Sequence, residues 1–144
     1  MYKHIIIPTD GTETGTRAVE QGLEIARAIG AKLTIVTVLH EFHTIAFAPE
    51  AVAATLGEVE RQRAEHQRTD DRLEAAVRAS GVICTHVVAD NAHLADAVRE
   101  AAEARGCDLI VMPAHERYTL LGRAVDSETV KLLSKSKLPV LVLH

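Results

Sequence analysis

The chain has 144 residues, 47% hydrophobic and 25% charged, with a formal net charge of −4, which fits one domain, 1–144, around a sizeable core. Its acidity argues against nucleic acid or anionic lipid as a partner, and 3% aromatic residues without Trp argue against a stacking platform for single strands. No apolar run approaches the roughly 20 residues of a membrane span, and Met1 to His4 shows no signal-peptide pattern, so a cytoplasmic address is expected.

Ile5-Ile6-Ile7 is apolar at every position, as a strand covered on both faces should be, and Pro8-Thr9-Asp10-Gly11 is expected to end it. A helix follows from Thr12 or Glu13, with Ala18, Val19, Gly22, Leu23, Ala26 and Ile29 at helical spacing and Gly30 as its stop. Lys32 to Leu39 reads as the second strand, followed by a loop through His40 and His43 to about Pro49. Ala51 to Ser80 is rich in Ala, Glu, Arg and Gln and reads as a long helix. Val52, Leu56, Val59, Leu73, Ala76 and Val77 keep its core stripe, and the polar stretch Arg61 to Asp71 is expected to overhang the sheet in solvent.

Gly81 ends that helix, Val82 to Val88 is strand three, and Asp90-Asn91 turns the chain. Leu94, Ala97, Val98, Ala101 and Ala102 mark the third helix, stopped by Gly106. Cys84 and Cys107 lack CxxC spacing, sit beside predicted strands and read as reduced core thiols. Asp108 to Met112 is strand four, stopped by Pro113, with a loop to about Asp126. Asp126-Ser127 has the side chains of a helix start. A helix from Ser127 to Ser136 has Val130 and Leu133 on one face, and Val140-Leu141-Val142-Leu143 is the last strand.

The order β-α-β-α-β-α-β-α-β predicts an α/β fold with five parallel strands. Right-handed crossovers leave two windings, 2-1-3-4-5 and 3-2-1-4-5. In the second, the switch point lies between strands one and four, whose carboxyl ends carry Thr9-Asp10 and Met112-Pro113.

With the opening IIIPTDGT, the long second helix, the segment DLIVMPAHER and the closing LPVLVL, the chain resembles the universal stress protein family over essentially its whole length. The resemblance implies the 3-2-1-4-5 sheet with helices on both faces, a Rossmann-like, adenine nucleotide alpha hydrolase-like fold. It also implies antiparallel pairing of two last strands in a homodimer, for which Val140 to Leu143 offers an apolar edge without a protecting charge.

Members of that family that bind ATP carry Gly-x2-Gly-x9-Gly-Ser/Thr after strand four. The three glycine positions here are Pro113, Glu116 and Asp126, and Ser127 keeps the hydroxyl; His115 and Arg117 match residues usual in that loop. Pro113 has no N–H and a fixed φ. Glu116 adds a side chain and a charge, and Asp126 can cap the helix where a phosphate would bind. A carboxylate about 5 Å from a phosphate charge costs roughly 3 kcal/mol at an effective dielectric near 20. Arg117 and Arg123 offset part of that. The resemblance thus implies a degenerate nucleotide pocket formed by Pro8, Thr9, Asp10, Val38, Met112, Pro113, Glu116, Asp126 and Ser127.

Other chemistry finds less support. A receiver domain would use Asp90 and Asp10 but needs a Lys after strand five, where the chain has only His144. His40, His43 and His93 lack a recognised metal spacing. There is no Walker loop, Gly-x-Gly-x-x-Gly or Gly-x-Ser-x-Gly. The expectation is a stress-response protein acting through protein contacts, homodimeric, without cofactor, metal or catalysis. The alternative is an ATP- or AMP-binding sensor.

Overall fold

The structure, a computed structural model, describes residues 1–38, 49–89, 93–114, 117–119, 122–124 and 127–143, with backbone alone for 49–56, 59, 62, 66, 117–119 and 122–124. In chain order the elements are β1 (His4–Thr9), α1 (Glu13–Ile29), β2 (Lys32–Val38), α2 (Pro49–Ser80), β3 (Cys84–Ala89), α3 (Leu94–Arg105), β4 (Leu109–Pro113), β5 (Arg117–Thr119), β6 (Gly122–Ala124), α4 (Ser127–Lys135) and β7 (Val140–Leu143).

The two most deeply buried strands, β1 and β4, lie side by side in the middle of a five-stranded sheet ordered β3-β2-β1-β4-β7. Every neighbouring pair is parallel. This is the 3-2-1-4-5 winding, counting only the strands of the main sheet. Side chains alternate across the pleat. Ile5 and Ile7 join Val19 and Leu23 of α1 and Leu73 of α2 in one core layer. Ile6 joins Val98 of α3 and Leu132 of α4 in the other.

The first helix obeys its sequence closely. Thr12 caps it, its side chain accepting from Gly15 N at 3.2 Å, and Gly30 ends it in the left-handed region at φ 70°. The long α2 is exposed over most of 61–71, as its composition predicts. Buried Thr69 interrupts that exposed run. Arg72 fastens α2 to α1, donating to both carboxylate oxygens of Glu20 at 2.7 Å and to Glu13. Among the described helices, none is long and apolar enough to cross a membrane.

Three expectations need correction. Pro8 lies inside β1, which runs on to Thr9, whereas Pro113 is the last residue of β4, where the stop was expected; Pro8 is accommodated because the β1–β4 ladder has already ended at Ile6. The stretch predicted as loop after β4 contains an antiparallel β5–β6 hairpin, with Arg117 opposite Ala124 and Thr119 opposite Gly122. Finally, the buried residues of α4 are Thr129 and Leu132. Val130 and Leu133 do share a face, but it is the solvent face, at 53% and 49% exposure. In so short a helix the pairs Val130–Leu133 and Thr129–Leu132 define competing stripes one residue apart, and docking of Leu132 onto Ile6 and Ile110 selects between them.

Candidate functional site

A crevice opens where β1 and β4 stop pairing. Their register runs Ile5–Leu109 and Ile6–Ile110 and no further. Yet β1 stays paired to β2 through Thr9, and β4 to β7 through Pro113. Hydrogen-bond phase explains the gap. Lys32 N donates to Lys3 O and Asp108 N to His4 O, both at 2.9 Å, so odd residues of β1 face β2 and even ones face β4. From Ile110 onward, Ile110 N donates to Pro139 O at 3.0 Å and Ala114 N to Leu143 O at 2.7 Å, so Pro113 faces β1. The next rungs would need Pro8 to donate to Val111 and Pro113 to donate to Pro8. Neither proline has the hydrogen. The site therefore lies at the topological switch point of the sheet, where such folds hold ligands.

The β1 side of the crevice is tightly organised. Gly11 N donates to Thr9 Oγ1 at 3.2 Å. Asp10 Oδ1 accepts from Thr12 N at 3.0 Å and from Thr12 Oγ1 at 2.6 Å. Gly11 has φ 76°, open to glycine at little cost. Gly15, in the first turn of α1, is required for a different reason: a Cβ there would lie 2.7 Å from both Asp10 Oδ1 and Thr9 Oγ1. From α2, Thr69 Oγ1 donates to Gly11 O at 2.7 Å, tying the turn to the long helix. Sequence reading missed Thr69, whose only signal is a β-branched hydroxyl residue amid charged neighbours.

The other candidates fall into three groups. Val38 and Met112 are buried at the ends of β2 and β4 and belong to the core layer under α3 and α4. Pro8, Thr9 and Pro113 are buried, and Asp10 is partly so. Ser127 is exposed as the first residue of α4. Glu116 and Asp126 lie outside the described residues, as do His40, His43 and Asp90.

A second helix start near this end of the sheet is capped from within the chain. His93, at the N-cap of α3, makes no side-chain cap bond. Instead Glu128 of α4 accepts from Ala95 N at 3.1 Å, while Lys131 Nζ donates to its other oxygen at 2.7 Å. The Lys131 bond, then the Ala95 N–H, hold the Glu128 carboxyl below its ordinary value. A carboxylate thus occupies the positive end of α3. The thiols lie elsewhere. Both are free, and burial pushes both up, with a Thr34 bond opposing the rise at Cys107.

The sequence model of the universal stress protein family matches residues 1–144. Among solved structures, a universal stress protein family member from Burkholderia pseudomallei is 27% identical, with TM-score 0.68 over 99% of this chain and 96% of that one. A universal stress protein solved in complex with cAMP is 26% identical, with TM-score 0.64 over 99% and 97%. The universal stress protein UspA from Lactobacillus plantarum shares the fold, with 20% identity and TM-score 0.68 over 99% and 98%. No curated protein matches the sequence significantly.

Proposed function

The chain belongs to the universal stress protein family, and we propose that it acts in the stress response through protein contacts, as a homodimer, without catalysis and without binding ATP at cellular concentrations. The observation that carries this reading is the pair of prolines at the crevice. Pro8 and Pro113 remove two backbone donors where β1 and β4 part, and an anionic phosphate chain is held by such donors. Glu116 and Asp126, where ATP-binding members have glycine, add negative charge to the same loop. The homodimer reading rests on β7, an edge strand with Leu141 39% exposed and no Lys or Pro within Val140–Leu143. Calorimetry with MgATP at millimolar concentration tests the nucleotide reading. Negligible heat is expected, and a micromolar dissociation constant overturns it.

A second reading has one specific support: the 26% identical relative solved with cAMP. In it the crevice takes a small adenine mononucleotide, with Asp10, Ser127 and the ends of β1, β2 and β4 around the nucleoside and little reliance on a phosphate chain. Titration with AMP and cAMP beside ATP separates the readings. Saturable AMP or cAMP binding with none for ATP favours the second.

A further inference from the structure

We propose that the β3 edge of the sheet, with the groove between β3 and α2, docks an extended segment of a partner protein carrying a basic side chain. β3 ends the sheet on the side opposite β7. Leu33 N donates to Ile83 O at 2.9 Å, and Leu33 pairs with Cys84, so the backbone groups of Thr85 and Val87 face β2. Those of Cys84, His86 and Val88 therefore point outward, and no described strand pairs with β3 on that side. Natural edges are usually guarded by Lys, Pro or a bulge. The strand CTHVVA has no Lys or Pro and keeps its β2 register unbroken from Cys84 to Ala89. Its neighbourhood also exposes large apolar side chains, Ile83 at 68% and Val88 at 60%.

The groove supplies the selectivity. It is an open groove of about 450 Å³ beside this edge, between β3 and α2. Leu73, Val77, Ile35 and Cys84 make an apolar floor, and Asp70 and Glu74 stand on the helix side. Glu74 is paired with Arg78, whereas Asp70 has no cationic partner among the described residues. Arg78 also lines the groove and is matched by Glu74, so one negative charge, that of Asp70, is left unmatched. A Lys or Arg fits this shape: its aliphatic stem covers the floor and its charged head reaches Asp70. Main-chain pairing with Cys84, His86 and Val88 would supply affinity, as in strand addition generally. The occupant is thus an extended peptide with alternating apolar residues and a basic residue on the face turned to α2.

The test uses the full chain and a short acetylated, amidated peptide of alternating Val and Thr with a central Lys in place of one Val. Saturable binding is expected, with slowed amide exchange at Cys84, His86 and Val88. Asp70→Lys, a change at an exposed position, should weaken binding about tenfold. Replacing the peptide's Lys by Glu should weaken it similarly. Methylating the peptide amides on its pairing side should abolish it. Equal binding of the Lys and Glu peptides, unimpaired binding of the methylated peptide, or protection confined to Leu141 and Leu143 overturns the proposal. Protection of the β3 amides in the free protein that disappears on dilution also overturns it, since the occupant would then be a second copy of this chain.

Discussion

Pro8 on β1 and Pro113 on β4 hold the two donor positions that would carry the β1–β4 ladder beyond Ile6 and Ile110. A proline in an interior strand normally costs a sheet hydrogen bond. Here both losses fall on one boundary, where the strands have to separate to leave a crevice. The same feature that opens the site leaves two backbone positions there without an N–H to donate.

Nucleotide binding should be recoverable by local change. Pro113→Gly puts one N–H back, directed toward β1, and frees φ. Glu116→Gly and Asp126→Gly remove two charges from the segment between β4 and α4. The triple variant is expected to bind MgATP measurably while each single variant does not, because one remaining carboxylate still repels phosphate. Calorimetry on all four variants checks this. A triple variant that folds normally and shows no binding places the obstacle elsewhere, with the His40 to Pro49 segment next to be tested.

Self-association should map to β7. Leu141→Lys is the cleanest probe because Leu141 is partly exposed, whereas Leu143 packs against the core layer under α1 and α2. Light scattering should report a dimer for the parent chain and a monomer for Leu141→Lys, with unchanged circular dichroism. A Leu141→Lys and Leu143→Lys double variant that folds and stays dimeric counts against pairing at this edge.

Gly15→Ala should lower stability despite the helical position. Alanine contributes up to about 1 kcal/mol of helix propensity over glycine. Its Cβ, however, would meet Asp10 Oδ1 and Thr9 Oγ1 at 2.7 Å. Asp10 Oδ1 cannot move without losing its bonds from Thr12. Overpacking of this kind costs about 1–3 kcal/mol, so a net loss of about 1 kcal/mol is expected, a fall in Tm of about 2–4 °C for a chain of this size. A Tm equal to or above that of the parent would show that the turn yields freely.

Acid sensitivity should centre in part on Asp108, far from the crevice. Its carboxylate accepts from Lys3 N at 2.8 Å and His4 N at 2.9 Å, fastening the start of β1 beside β4. Burial raises its pKa, but the N–H bonds from His4, Lys3 and its own backbone outweigh that and leave it below the ordinary carboxylate value. A lowered folded pKa means stability present above the unfolded value, about 3.9, and lost as pH falls through the folded one. Asp108→Asn should cost about 1–2 kcal/mol at neutral pH and less as pH drops below 4. Urea midpoints at pH 7 and at low pH measure this. A constant difference between the two chains would exclude the linkage.

The sequence by itself determined the elements. Runs such as Ile5-Ile6-Ile7 and the helical spacing of Ala18, Val19, Gly22 and Leu23 reflect burial that each segment requires wherever it packs, and Gly30 and Gly106 mark stops that only backbone freedom explains. The strand order followed from resemblance alone, since both windings bury the same runs; the pairing of β1 with β4 decides it. Local patterns were silent on the β5–β6 hairpin because the sequence between its strands, Leu120-Leu121, is not the usual Asn-Gly or Gly-X. Only the tertiary structure decided that Leu132, and not Val130 or Leu133, faces the core. It alone decided that Thr69 holds Gly11, that Glu128 caps α3, and that Pro8 and Pro113 point their missing hydrogens at the same gap. The reason is common to all four: each joins residues distant in the chain, and the energy that selects them comes from a partner no local pattern contains.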